Sequence, residues 1–137
     1  MHHDVHHPID PERLVAMAAI QYHRGPDGFG YKVMDGVGFS HARLSIIDLN
    51  PNRGRQPFWS PDERYLIAHN GEFYDYKRLR ADLTSRGYQF ATKSDTELVL
   101  HLTERMGLKR ALPQLRGEVA FALYEREHER LTLVRER

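Results

Sequence analysis

The sequence predicts an α+β domain, with helices and mostly non-parallel strands mixed and sheets packed under helices. Two patterns point there. Segments with apolar residues at helical spacing open on capping residues and stop at glycine or proline. Short strand-like runs lie between and after them, separated by Gly, Pro and Asn clusters. At 137 residues, without an internal repeat or long linker, the chain is one domain's worth.

The first helix opens at Asp10-Pro11-Glu12-Arg13. Asp10 can cap it, Pro11 suits the first helical position, and Glu12 favours the positive end of the helix dipole. Leu14, Met17, Ala18 and Tyr22 recur at helical spacing as a core-facing stripe, and Gly25-Pro26 ends the helix. Four strand-like runs follow: Gly30 to Met34, Gly36 to Ser40, Arg43 to Asp48, and Tyr65 to Asn70. Asp75 is placed to cap a helix from about Tyr76 to Arg86, with Leu79 and Leu83 on one face and Gly87 as its stop. Ser94-Asp95-Thr96-Glu97 reads as a capping box, Ser94 the cap and Glu97 the residue that reaches back. The helix after it presents Leu98, Leu102 and Met106 and stops at Gly107. A short helical turn from Leu108 to Leu115 leads into strands Glu118 to Tyr124 and Arg130 to Val134, joined by the charged turn Glu125 to Glu129.

Composition narrows the function. Hydrophobic residues make up 40% and charged residues 28%, the balance of an ordinary globular protein. Twenty basic against nineteen acidic residues, with the signs interleaved, argue against a nucleic-acid or membrane surface built on bulk charge. The basic pair Arg53 and Arg55 reads as a solvated Gly/Pro turn. The longest apolar runs, Val15 to Ile20 and Val119 to Tyr124, fall far short of the ~20 residues that span a bilayer. The absence of cysteine rules out disulfides and thiolate metal sites and suits a cytoplasmic protein. His2, His3, His6 and His7 cluster near the start, and residues 1–10 read as a flexible His-rich terminus rather than a metal site. A Ser-His-Asp set from Ser40 or Ser45, His41 and Asp48 lacks the Gly-x-Ser-x-Gly elbow. Gly36-Val37-Gly38 lies between strands, where it cannot cradle a phosphate at a helix start.

Six segments stand in a telling order: His23-Arg24-Gly25-Pro26-Asp27, His41-Ala42-Arg43-Leu44-Ser45-Ile46-Ile47-Asp48, Gln56-Pro57, Asn70-Gly71-Glu72-Phe73-Tyr74, Ser94 to Glu97, and Leu115 to Leu123. Together they resemble the glutaminase domain of glutamine-dependent asparagine synthetases, which are class II amidotransferases. The resemblance covers residues 11–137 and implies a four-layer αββα sandwich of the N-terminal-nucleophile hydrolase type, here incomplete at both ends. It also implies chemistry. A cysteine thiolate attacks the glutamine side-chain amide with its own α-amino group as base, and the ammonia passes to a synthetase domain that activates aspartate or a related acid with ATP and Mg. The glutaminase domain itself needs no cofactor.

By the same resemblance, Arg43 grips the glutamine α-carboxylate, a contact that a planar guanidinium suits. Asn70 and Gly71 form the oxyanion hole, while Glu72 and Asp95 receive the α-ammonium. Plainer readings stand beside these. Arg43 can end a strand and pair with Asp48 or Glu72; Asn70-Gly71 alone is a type I′ turn signal; Asp95 favours a helix N-terminus. The loop His23 to Asp27 is at least a turn. Glu118 stands where many relatives have Met. The family's opening Cys-Gly-Ile strand has no counterpart, and the chain stops at Arg135-Glu136-Arg137. The expectation is a truncated glutaminase portion with the synthetase domain absent, releasing no ammonia as written. A degenerate module that binds an amino acid or docks a synthetase partner is the alternative. The resemblance leaves open a homodimer of the full-length protein.

Overall fold

The computed structural model describes residues 8–34, 36–45 and 55–136. These residues belong to two compact units, one reaching Pro57 and the other starting at Phe58. Each pairs helix with antiparallel sheet, the α+β class expected from the pattern. The His-rich start at His2 to His7, together with Ile46 to Asp48 and Arg53, lies outside the described residues.

In the first unit, α1 (Pro11–Ile20) begins as its sequence dictates: the Glu12 N–H donates to the Asp10 carboxylate at 2.9 Å, with Pro11 in the first turn. Leu14 and Ala18 are buried, whereas Met17 and Tyr22 of the expected stripe are exposed. The helix ends at Ile20, which leaves Tyr22 in the following turn, and contact with a single hairpin buries only the narrow i, i+4 row. That hairpin is β1 (Gly28–Met34) and β2 (Val37–Arg43), paired from Met34↔Val37 to Gly28↔Arg43. The expected strand from Arg43 to Asp48 is therefore corrected. Arg43 closes β2 instead of opening a third strand, and Leu44 and Ser45 lie outside any strand. The reason is pairing: β1 starts two residues earlier than its apolar pattern suggests, so its partner runs on to Arg43.

The second unit is built on an antiparallel sheet in the order β3-β4-β5-β6. Strand β3 (Phe58–Trp59) is too short to leave a periodic signal. Strands β4 (Tyr65–Phe73) and β5 (Gly117–Glu125) pair without interruption from Tyr65↔Glu125 to Phe73↔Gly117, and β6 (Arg130–Arg135) follows on the edge. Helices α2 (Tyr76–Ser85) and α3 (Thr96–Met106) precede α4 (Leu108–Ala111) and a 3-10 turn at Leu112–Gln114. Asp75 stands at the cap position of α2, but its side chain makes no capping bond and pairs with Arg78 at 3.8 Å instead.

Helix α3 is the spine of this unit. Val99 and Leu100 join Tyr65, Ile67, Phe73, Phe121 and Leu123, while Leu98 and Leu102 join Leu79, Leu83 and Ala111. Every residue from Thr96 to Thr103 is buried. The one-sided stripe expected from Leu98, Leu102 and Met106 is thus replaced by burial all round, as befits a helix covered on both faces.

Candidate functional site

Strand β4 changes character along its length. Tyr65, Leu66, Ile67 and His69 are buried, Asn70, Gly71 and Glu72 are exposed, and Phe73 is buried again. The Asn-Gly pair therefore sits inside a strand, paired with Ala120 and Val119, and the turn reading of that dipeptide is excluded. Gly71 has φ +128°, and a Cβ there would lie 1.9 Å from the Glu118 carbonyl oxygen. Only glycine fits so tight a backbone approach in that conformation. The positive φ also turns the local peptide out of regular strand geometry, at the one stretch of β4 open to solvent.

The exposed stretch is clamped from beneath. His69 Nδ1 lies 3.0 Å from Thr96 Oγ1, and its ring stacks on Phe73 at 4.9 Å between centroids. The Phe73 N–H donates to the Asp95 carboxylate at 3.0 Å, joining the end of β4 to the start of α3. Burial pushes the Asp95 carboxyl up from its ordinary value, and the N–H groups of Phe73, Asp95 and Thr96 only partly oppose that. Glu72 faces Glu118 directly across the β4–β5 ladder. A hydrogen bond to Glu118 pushes the Tyr74 hydroxyl up from its ordinary value, with the charges of Glu118, Glu136 and Glu72 adding to it. The exposed end of the strand is thus bordered by carboxylates, a setting that favours a cation.

The capping box expected with Ser94 as cap does not form: α3 begins at Thr96, so Asp95 stands at the cap position, and its side chain makes no capping bond. Ser94 Oγ accepts the Thr96 N–H at 3.2 Å, but Glu97 does not return to Ser94. Its buried carboxylate instead accepts the N–H groups of Ala91 at 2.9 Å and Thr92 at 2.8 Å, and the Thr92 hydroxyl. Glu97 thereby holds the loop that leads to Asp95.

Arg43 belongs to the first unit, where it is 7% exposed at the end of β2. The loop after α1 packs against it. The Asp27 N–H donates to the Arg43 carbonyl at 3.0 Å, and the Asp27 carboxylate accepts the Ser45 N–H at 2.7 Å. Asn70, Gly71, Glu72 and Asp95 are brought together in the second unit, and Arg43 with the His23 to Asp27 loop in the first. Among the described residues, no group of three or more His, Cys, Asp or Glu is arranged to hold a metal ion, and no helix is long and apolar enough to cross a membrane.

Residues 3–137 match the family described as the glutamine amidotransferase domain. The chain belongs to that family. Asparagine synthetase [glutamine-hydrolyzing] 1 of Bacillus subtilis is 43% identical over 125 residues, covering 88% of this chain and 19% of that protein. Asparagine synthetase B [glutamine-hydrolyzing] of Escherichia coli is 39% identical over 116 residues, covering 85% of this chain and 20% of that protein. The chain thus spans about a fifth of the length of these curated relatives. Among solved structures, the glutamine phosphoribosylpyrophosphate amidotransferase of B. subtilis superposes with a TM-score of 0.71 at 25% identity, over 87% of this chain and 33% of that one.

Three features of this amidotransferase domain escape sequence reasoning. His69 shows no signal beyond strand alternation, and its contact with Thr96 spans 27 positions. The pairing of Glu72 with Glu118 needs the register of β4 on β5. The reach of Asp27 to Ser45 needs the hairpin to bring residues 18 apart together.

Proposed function

We propose that this domain binds L-glutamine and, joined to an asparagine-synthetase-type domain in the cytoplasm, supplies ammonia for ATP-dependent amidation of aspartate or a related acid. The observation that carries this reading is the exposed step Asn70-Gly71-Glu72 on an otherwise buried strand, with Gly71 locked at positive φ, in a chain of the amidotransferase family. The Asn70 carboxamide and the Gly71 N–H donate to the amide oxygen as it gains charge, an interaction worth about 3 kcal/mol in the transition state. Arg43 holds the α-carboxylate through paired N–H groups. Asp95 and Glu72 take the α-ammonium, and the charge of that ammonium offsets the burial that disfavours ionised Asp95. The glutamine half-reaction needs no cofactor; ATP and Mg serve the acid-activating half.

The nucleophile of this reaction is a thiolate, and the 137 residues contain no cysteine. That observation favours a second reading, a non-catalytic module that binds an amino acid or docks a synthetase partner. Calorimetric titration of the purified chain with L-glutamine tests the site. Binding is expected, and Arg43→Ala should weaken it by about 10- to 100-fold, the loss of a charge-assisted contact worth 1.5–3 kcal/mol. Ammonia release should stay at background. Absence of any glutamine binding overturns the substrate reading. An in-frame Cys codon ahead of Met1 in the gene decides for the ammonia-supplying reading, and a frame without one decides for the module.

A further inference from the structure

The loop His23-Arg24-Gly25-Pro26-Asp27-Gly28 is a motif to which the glutamine chemistry assigns no task. Its structure gives it one. Each residue from Gly25 to Gly28 meets the end of β2. A Cβ on Gly25 would lie 2.4 Å from the Ala42 carbonyl carbon and 2.6 Å from the Arg43 nitrogen, so the loop backbone rests directly on that peptide. Pro26 bridges to Arg43 in parallel register, and Gly28 pairs with it across the hairpin. Asp27 then brackets the arginine: its N–H binds the Arg43 carbonyl at 3.0 Å, and its carboxylate binds the Ser45 N–H at 2.7 Å. The loop is itself tied to the end of α1, with the Gly25 N–H donating to the Gln21 carbonyl at 3.2 Å and His23 Nδ1 3.1 Å from the Ile20 carbonyl.

An arginine that grips a carboxylate by two N–H groups needs its backbone fixed, because a guanidinium at the end of a long side chain magnifies any swing of its Cα. Arg43 stands at a strand end, where ladder hydrogen bonding stops and fraying begins. The bracket carries hydrogen bonding on past the last ladder pair, from the Arg43 carbonyl to the Ser45 N–H, leaving only exposed Leu44 between the two anchoring bonds. We infer that Asp27 is a positioning residue: its carboxylate, by holding Ser45, sets the Arg43 guanidinium for the α-carboxylate of an amino-acid ligand. This rests on the glutamine reading of Arg43. Asp27 itself is exposed, so removing its side chain should change overall stability little.

The test compares wild type, Asp27→Ala and Asp27→Asn by titration with L-glutamine and with the analogue whose α-carboxylate is replaced by hydroxymethyl. It adds ¹⁵N relaxation of the Arg43 Nε–Hε group in the unliganded chain. Asp27→Ala should weaken glutamine binding about tenfold, the size of one lost charge-assisted hydrogen bond, and loosen Arg43 Nε. Asp27→Asn, which keeps an oxygen acceptor for Ser45, should restore both. Binding of the analogue should be indifferent to either change. Equal weakening of both ligands, or unchanged Arg43 Nε order in Asp27→Ala, overturns the positioning role. If wild type binds no glutamine while Arg43 Nε is still rigid and loosened by Asp27→Ala, the bracket stands and the glutamine reading falls.

Discussion

At the scale of single residues, Gly71 carries the sharpest demand. Its φ of +128° and the Glu118 carbonyl 1.9 Å from the position of a Cβ impose two separate penalties on any side chain, strain and collision. Gly71→Ala is expected to destabilise the domain by about 2–5 kcal/mol. Gly87→Ala is the comparison that separates the two effects. Gly87 has φ +90° but nothing within 4 Å of a Cβ, so its substitution carries strain alone and should cost about 1–2 kcal/mol. Denaturant midpoints of the two variants check this, and equal losses would refute the collision. The sequence shows the glycine but not the reason for it, since Asn-Gly after a strand is also a turn signal. Only the run of β5 past Asn70 to Phe73 makes it a strand interior.

At the scale of elements, α3 and the loop before it form the part that tertiary packing reshapes most. Ser94-Asp95-Thr96-Glu97 announces a helix start, and the helix starts there. The side chains then take partners the motif does not name: Asp95 accepts from Phe73, and Glu97 from Ala91 and Thr92. A buried carboxylate accepting three hydrogen bonds from the preceding loop is worth more than the reciprocal cap it replaces, because the charged acceptor strengthens each bond and would be left buried without partners if they were lost. Glu97→Ala should therefore lower stability by about 2–4 kcal/mol. It should also strip hydrogen-exchange protection from the Ala91 and Thr92 amides first. A variant that keeps both protected would show that another group holds the loop.

At the scale of the whole molecule, two carboxyl groups with opposite shifts contribute to the pH dependence. Burial pushes Glu125 up, but hydrogen bonds from His128 and Arg130 outweigh it and hold the group below its ordinary 4.5. The unfolded chain then takes up that proton first. Glu125 contributes stability above about pH 4.5 that is lost as the pH falls through its lower folded value. Asp95 runs the other way. Burial raises it above its ordinary 3.8, so ionising it in the folded state lowers stability as the pH climbs from 3.8 through its higher folded value. Urea titrations at stepped pH should show Glu125→Gln flattening the acid loss and Asp95→Asn removing the opposing fall. A profile unmoved by either substitution would refute both assignments.

The sequence by itself determined the helices that cap and stop with local residues, as at Asp10-Pro11 and Gly107, and the order of motifs that places the chain among glutamine amidotransferases. Those signals are local: a cap or a period of 3.6 is complete within a dozen residues. Tertiary structure decided the rest. It set where β2 ends, and so on which element Arg43 rides, because strand length is fixed by the partner strand. It exposed Asn70, Gly71 and Glu72 on a strand whose other residues are mostly buried, because β5 and α3 cover the remainder. It also gave Asp27 and His69 their partners across 18 and 27 positions, distances that no local pattern can encode.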